Sequence, residues 1–230
     1  MKQMGLSISR PEPIKYIVYE KVRSAILFGQ LQQGEIINER DLADQLDVSR
    51  TPVRLALELL LKDGWVIRDG KSVRINHIYY EDFLEMLPIR LENEKLAIRL
   101  AYPKLTNIHI ENFETILRTL SQYAENIKKR NWESDKRNFL EQEKRFHLSF
   151  AEISGNKHLQ RLLNEYMDRF LRLGMISLKF EDDSEQTHSG LQEMFSHIKQ
   201  GDLQRAYKIL ETELYRGEEL ARDFLVKKEK

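Results

Sequence analysis

Two pairs of side chains are spaced to do chemistry. Arg50 and Arg54 stand one helical turn apart, immediately around Ser49, Thr51 and Pro52. That spacing places two guanidiniums on one face at the start of a helix, where arginine can bond a guanine edge bidentately in the major groove. The free N–H groups of the helix start, with the Ser49 and Thr51 hydroxyls, can hold a phosphate. Glu143 and His147 repeat the i,i+4 spacing. They present a carboxylate and an imidazole on one side of a helix, a pair that can share a metal ion. The plainer alternatives are a solvated surface for the arginines and a core or hydrogen-bonded histidine for His147.

The elements that would position these residues can be read from apolar spacing. From Ile14 a helix carries Ile17, Val18, Val22, Ala25 and Ile26 inward and ends at Gly29, a C-terminal cap. A turn at Gln33-Gly34 leads to a two-turn helix, Arg40–Leu46. Ser49 is the expected N-cap of a third helix, with Pro52 in its first turn, running to about Lys62 and stopping at Asp63-Gly64. Trp65–Arg68 and Ser72–Ile75, joined by Asp69-Gly70, read as a small β-hairpin. Three short helices and a hairpin make a winged helix-turn-helix over residues 1–76.

Residues 77–230 read as helical throughout. The expected helices are about 80–101 (kinked or restarted at Pro88), 106–129, 133–154, 157–178, 187–200 and 202–227. Breaks are expected at Tyr102-Pro103, Asn131, Gly155-Asn156, the polar run Glu181-Asp182-Asp183-Ser184 and Gly201-Asp202. Short connections imply an antiparallel bundle, so the fold class is mainly α. Most aromatics here, Phe113, Phe139, Phe146, Phe150 and Phe195 among them, are expected in its core.

Composition narrows the function. The 230 residues hold 37 Lys+Arg and 37 Asp+Glu, with 41% hydrophobic residues, enough for a packed core. The absence of Cys excludes disulfides, thiolate metal sites and a thiol nucleophile. No apolar run approaches a membrane span and Met1–Gly5 starts no signal sequence, so a cytoplasmic protein without membrane contact is expected. Up to residue 76 there are 12 basic and 10 acidic residues, and beyond it 25 and 27. Nucleic-acid affinity would therefore come from a local cluster, Arg40, Arg50 and Arg54 aided by Lys71 and Arg74, with acidic residues facing away.

Residues 14–75 resemble the DNA-binding domain of the GntR family of bacterial transcription regulators. Glu39, Arg40, Leu42, Ala43, Leu46, Val48, Ser49, Arg50, Thr51, Pro52, Val53, Arg54, Ala56, Leu57, Leu60 and Gly64 all match its signature. The resemblance implies that Arg40, Arg50, Thr51 and Arg54 contact operator DNA and that Gly70, at the tip of a wing about three residues shorter than usual, approaches the minor groove. The second part is similar to the FCD domain of the FadR subfamily, an effector-binding and dimerising helical domain. Arg90, Glu94, Leu96, Ala97 and Ala101 fit its opening helix; Phe146-His147, Ser154-Gly155-Asn156 and Gly201-Asp202 with Ala206 fit further along.

Many FCD domains hold a divalent metal through one Asp and three His. The matching positions here are Glu143, His147, Leu191 and Glu213, with His188 one turn before Leu191. Leucine cannot ligate, so the metal is in doubt while a small, carboxylate-bearing effector remains implied, with Arg90 the residue to meet it. Arg90 could equally pair with Glu94 at i+4. The resemblance implies a homodimer on double-stranded operator DNA, one module per half-site, usually a repressor and no enzyme. A di-iron bundle enzyme would need two Glu-x-x-His pairs, and Glu143 to His147 is one residue too long. A helical interaction scaffold would leave Arg50, Arg54 and the hairpin without a purpose.

Overall fold

A computed structural model describes residues 12–129, 132–177 and 180–228. The chain divides into two compact units, Met1–His77 and Ile78–Lys230.

In the first unit α1 (Ile14–Leu27) is followed by β1 (Ile36–Ile37), α2 (Glu39–Gln45), α3 (Arg50–Lys62), β2 (Val66–Asp69) and β3 (Ser72–Ile75). Val18, Val22 and Ile26 of α1 and Val53, Ala56, Leu57 and Leu60 of α3 are buried, packing around Trp65, Val66 and Ile75. The expected hairpin is part of a three-stranded sheet of order β1-β3-β2. Ile36 pairs with Arg74 and Ile37 with Val73, which anchors the wing's base to the segment before α2. A two-residue strand carries too little periodicity to be read from sequence. The wing turns at Gly70, whose φ of 59° lies in the left-handed region and whose missing Cβ would meet nothing within 4 Å.

The turn between α2 and α3 fixes the approach of α3. Asn38 caps α2 by accepting from the backbone N–H groups of Arg40 (3.0 Å) and Asp41 (3.4 Å). At the other end the Val48 N–H donates to the Ala43 carbonyl at 3.1 Å, closing a turn around Asp47, which holds φ of 51°. It is the one non-glycine among the described residues with positive φ.

In the second unit α4 (Tyr80–Ala101) and a 3-10 turn (Tyr102–Lys104) lead to α5 (Asn107–Lys128), α6 (Trp132–Ser154), α7 (Lys157–Ser177), α8 (Phe180–Gln200) and α9 (Leu203–Lys228). Helix α6 packs on α4, α5 and α7, while α9 packs on α4 and α8. An aromatic cluster locks α5, α6 and α8 together. Phe113 stacks on Phe150 at 4.5 Å and meets Phe195 at 4.7 Å, with Phe146 edge-on at 5.3 Å. Two expectations are corrected. Of the kink or restart expected at Pro88, the restart does not occur and α4 runs on through the proline; Pro88 is exposed between buried Leu87 and Leu91, so packing on the inner face carries the helix past the lost backbone bond. The polar run at 181–184 is no loop but lies inside α8, because Ser184 is buried and Asp183 sits 3.9 Å from Arg216. The break expected at Asn131 falls outside the described residues. Among the described residues no helix is long and apolar enough to cross a membrane.

Holding an L-residue in the left-handed region costs roughly 1–2 kcal/mol, less for Asp. Asp47→Gly is therefore expected to raise the stability of the first unit by up to about 1 kcal/mol. A lower melting temperature would show that the aspartate side chain contributes more than its backbone costs.

Candidate functional site: an arginine helix face and a buried polar cavity

Two sites emerge, one in each unit. In the first, α3 offers Arg50, Thr51 and Arg54 on its exposed side, while Val53, Ala56, Leu57 and Leu60 turn inward. Ser49 occupies the expected N-cap position with extended backbone, and its side chain makes no capping bond. Its hydroxyl and the first N–H groups of α3 are thereby left for an external acceptor.

The cationic cluster differs from expectation in two respects. Acidic residues do not all face away. Glu39 lies 3.8 Å from Arg50, and Asp44 lies 4.0 Å from Arg40. These are solvent-exposed pairs of small energy, on the order of 0–1 kcal/mol, and Arg54 has no ion pair among the described residues. Arg74 is partly engaged within the wing. Its guanidinium bonds Asp69 at 2.5 Å and the Gly34 carbonyl at 3.2 Å, bracing the sheet to the turn before β1. Lys71 and Gly70 remain exposed at the tip, and Arg68 on β2 is a further exposed cation.

In the second unit a cavity of about 100 Å³ lies among α4, α6, α7, α8 and α9. Its apolar wall includes Leu140, Met167, Leu171, Leu191, Leu210 and Leu214. Arg90, Glu143, Lys144, His147, Thr187, Glu213 and Arg216 are the polar and charged residues of the lining. Three of the four carboxylate, imidazole and guanidinium residues expected there thus meet with the fourth: Arg90, Glu143, His147 and Glu213 share one cavity. His188 does not line it. Burial lowers the His188 imidazole below its ordinary value, partly offset by a hydrogen bond to the Leu117 backbone.

A buried relay organises one side. Arg90 Nε donates to Glu94 Oε1 at 2.6 Å, and Glu94 Oε2 lies 2.5 Å from His147 Nδ1. The imidazole contact is close but not aligned as a hydrogen bond. Arg90 also rests on the Phe170 ring, 4.3 Å from its centroid. Burial, the largest influence on Glu94, pushes its carboxyl up, but His147 and Arg90 together outweigh it and hold it at about 2. The pairing of Arg90 with Glu94 does not exhaust the guanidinium. Only Nε is engaged, and both Nη groups lack a protein partner among the described residues.

On the other side Glu213 was expected, but its partners Arg216 and Thr187 were not. Arg216 Nη2 donates to Glu213 Oε2 and to Thr187 Oγ1, each at 2.7 Å. Glu213 lies so close to α8 that a Cβ on Gly190 would come within 2.5 Å of its carboxyl. The only sequence signal for this arrangement is Glu213 at i−3 from Arg216. Glu143 makes no hydrogen bond or ion pair among the described residues. Burial raises its carboxyl above the ordinary range against the pull of His147, Arg90 and Arg216.

A metal does not suit this donor set. Among the described residues no three His, Asp or Glu side chains group to hold an ion. Position 191 presents a leucine to the cavity, and His147 is turned towards Glu94.

Because the Glu94 carboxyl lies below its ordinary value of 4.5 in the folded protein, its contribution is complete above that pH and is lost as the pH falls towards 2. Melting temperatures of the helical unit are expected to fall across this window. Glu94→Gln should flatten that fall and cost about 3–5 kcal/mol at neutral pH, since it strands the Arg90 charge. An unchanged acid profile in the variant would remove Glu94 as the cause.

Comparison with known proteins places both units. The model of bacterial regulatory proteins of the gntR family matches residues 16–75, and that of the FCD domain matches residues 85–215. The chain is 28% identical over 162 residues to the uncharacterized HTH-type transcriptional regulator YdhC of Bacillus subtilis, covering 70% of each chain. It is 26% identical over 172 residues to the gluconate operon transcriptional repressor of the same organism, covering 72% of this chain and 68% of the repressor. The solved structure of E. coli McbR/YncC shares the fold with a TM-score of 0.76 at 18% identity, over 93% of this chain and 99% of that one. With one model on each unit and the FCD model on more than half of the chain, this protein belongs to the GntR family of transcriptional regulators and carries an FCD domain.

Proposed function

We propose that this regulator binds a palindromic operator as a homodimer of the FadR subfamily and represses transcription, with a small carboxylate-bearing effector in the helical cavity altering that binding. The observation that carries the DNA reading is the exposed face of α3. There Arg50, Thr51 and Arg54 follow one another within its first two turns, above a helix start whose cap hydroxyl is unengaged. Arg50 and Arg54 read base edges in the major groove. Ser49, Thr51 and Arg40 hold backbone phosphates, and Gly70 lets the short wing approach the minor groove. Repression is the role named for the gluconate operon transcriptional repressor of Bacillus subtilis, to which this chain is 26% identical.

Arg90 supports the effector reading. It is a buried guanidinium whose unpaired Nη groups match a carboxylate through two parallel bonds. Because Arg90 already supplies the cationic partner, the site works without a metal. The effector shifts operator binding only by its differential affinity for the DNA-competent and DNA-incompetent arrangements of the dimer.

Arg54→Ala is expected to weaken binding to the protein's own upstream region by about 1–3 kcal/mol while sparing unrelated DNA. Arg40→Ala should weaken both and reduce the salt slope by about 1. A gel-shift titration across a salt series checks both. Equal loss on all sequences for Arg54→Ala would demote it to a phosphate contact. For the helical unit, Arg90→Met is expected to abolish stabilisation by short carboxylic acids in a thermal-shift screen. Full stabilisation in that variant would place the acid elsewhere.

A further inference from the structure

We propose that Arg68, on the flank of the wing, is the side chain that enters the minor groove, and that through it the protein favours A·T base pairs where the wing meets DNA. This rests on the DNA reading of the first unit and goes beyond it by naming the reading residue and the base pairs it selects.

The strand register decides the side of the sheet on which Arg68 stands. Val66 pairs with Ile75 and Arg68 with Val73. Residues paired across a ladder share a face, as do residues two apart along a strand. Val66, Ile75 and Val73 are buried, so Arg68 continues the core-facing row, and β2 packs on α3. The row leaves the core at Arg68, which is exposed and makes no hydrogen bond or ion pair among the described residues. Ile67 pairs with Arg74, and Asp69 with Ser72, on the opposite face. There Arg74 holds the Asp69 carboxylate at 2.5 Å. Asp69 is the only acid between Val66 and Ile75. The wing's negative charge is therefore neutralised on one face, and the free guanidinium stands on the other.

The turn makes the tip a poor reader. Asp69 and Ser72 pair directly, so the loop consists of Gly70 and Lys71 alone. A two-residue loop fixes the register of its hairpin, and a slip of one residue is what it would take to carry Arg68 to the other face. Gly70 has no side chain to offer a base edge. Arg68 does, and it is held two residues before that glycine.

Groove chemistry sets the preference. In the minor groove an A·T pair shows only acceptors, whereas a G·C pair adds the guanine amino group, a donor that opposes a cationic donor. A·T tracts also narrow the groove and strengthen its negative potential. A guanidinium is more weakly hydrated than an ammonium, so arginine enters such a groove at a lower desolvation cost than lysine.

The test uses the full-length protein and its own upstream region. Hydroxyl-radical cleavage locates the minor-groove segments that the protein protects, and binding is titrated on operators carrying A·T, G·C or inosine·cytosine pairs in those segments. Inosine lacks the guanine amino group, so its pair shows the minor-groove pattern of A·T and the major-groove pattern of G·C. The unaltered protein is expected to bind the A·T and inosine operators about fivefold more tightly than the G·C operator. Arg68→Ala and Arg68→Lys should both level the three, the lysine variant keeping the salt slope and the alanine variant reducing it by about 1. Equal binding of all three by the unaltered protein, or no protected segment, overturns the proposal. An inosine operator that behaves like G·C overturns the minor-groove placement, and a preference that survives in Arg68→Ala makes Arg68 a phosphate contact at most. If the unaltered protein does not distinguish its upstream region from unrelated DNA, the operator reading itself falls.

Discussion

A carboxylate with 2% of its surface exposed cannot stand alone among packed helices, and the second unit is organised around that restriction at Glu94. Its two oxygens are divided between Arg90, four residues along the same helix, and His147 on α6. The division ties α4 to α6, which pack against each other, through a buried polar contact. It also sets the Arg90 guanidinium, with one edge bonded and one edge open, facing the cavity. Burial of such a triad adds little net stability compared with an apolar replacement. Its effect is on geometry, because neither the arginine nor the histidine can turn away without stranding the charge between them.

The same logic of engaged and disengaged edges separates the cations of the first unit. Arg74 is used by the fold, clamped to Asp69 and to the Gly34 carbonyl, and so sets the wing's attachment. Arg54 makes no hydrogen bond or ion pair among the described residues. A positive charge that the structure spends no contact on, beside a helix start with an idle cap hydroxyl, is what an external polyanion requires.

Much of this was legible in the sequence, and the remainder divides by cause. Helix α3 and its inward Val53, Ala56, Leu57 and Leu60 follow from apolar spacing, and the grouping of Arg90, Glu143, His147 and Glu213 in one cavity agrees with positions the FCD resemblance assigned. Strand β1 was hidden because two residues carry no period. The helical state of 181–184 was hidden because a run of acids and serine reads as solvated until the distant Arg216 supplies a partner for Asp183. The acidic neighbours of the DNA-facing arginines escaped notice for a related reason. Arg40 and Asp44 are one turn apart, but Glu39 and Arg50 meet only through the tertiary path of the turn.

Those acidic neighbours bear on how the protein moves through a genome. In the proposed complex, Arg40 and Arg50 would exchange Asp44 and Glu39 for phosphate on random DNA, so each nonspecific stop would be shallower than bare arginines would make it, by the small energy of exposed ion pairs. Residence on irrelevant sequence would then be shorter and hopping quicker, with long dwell times left to half-sites where several arginines engage at once.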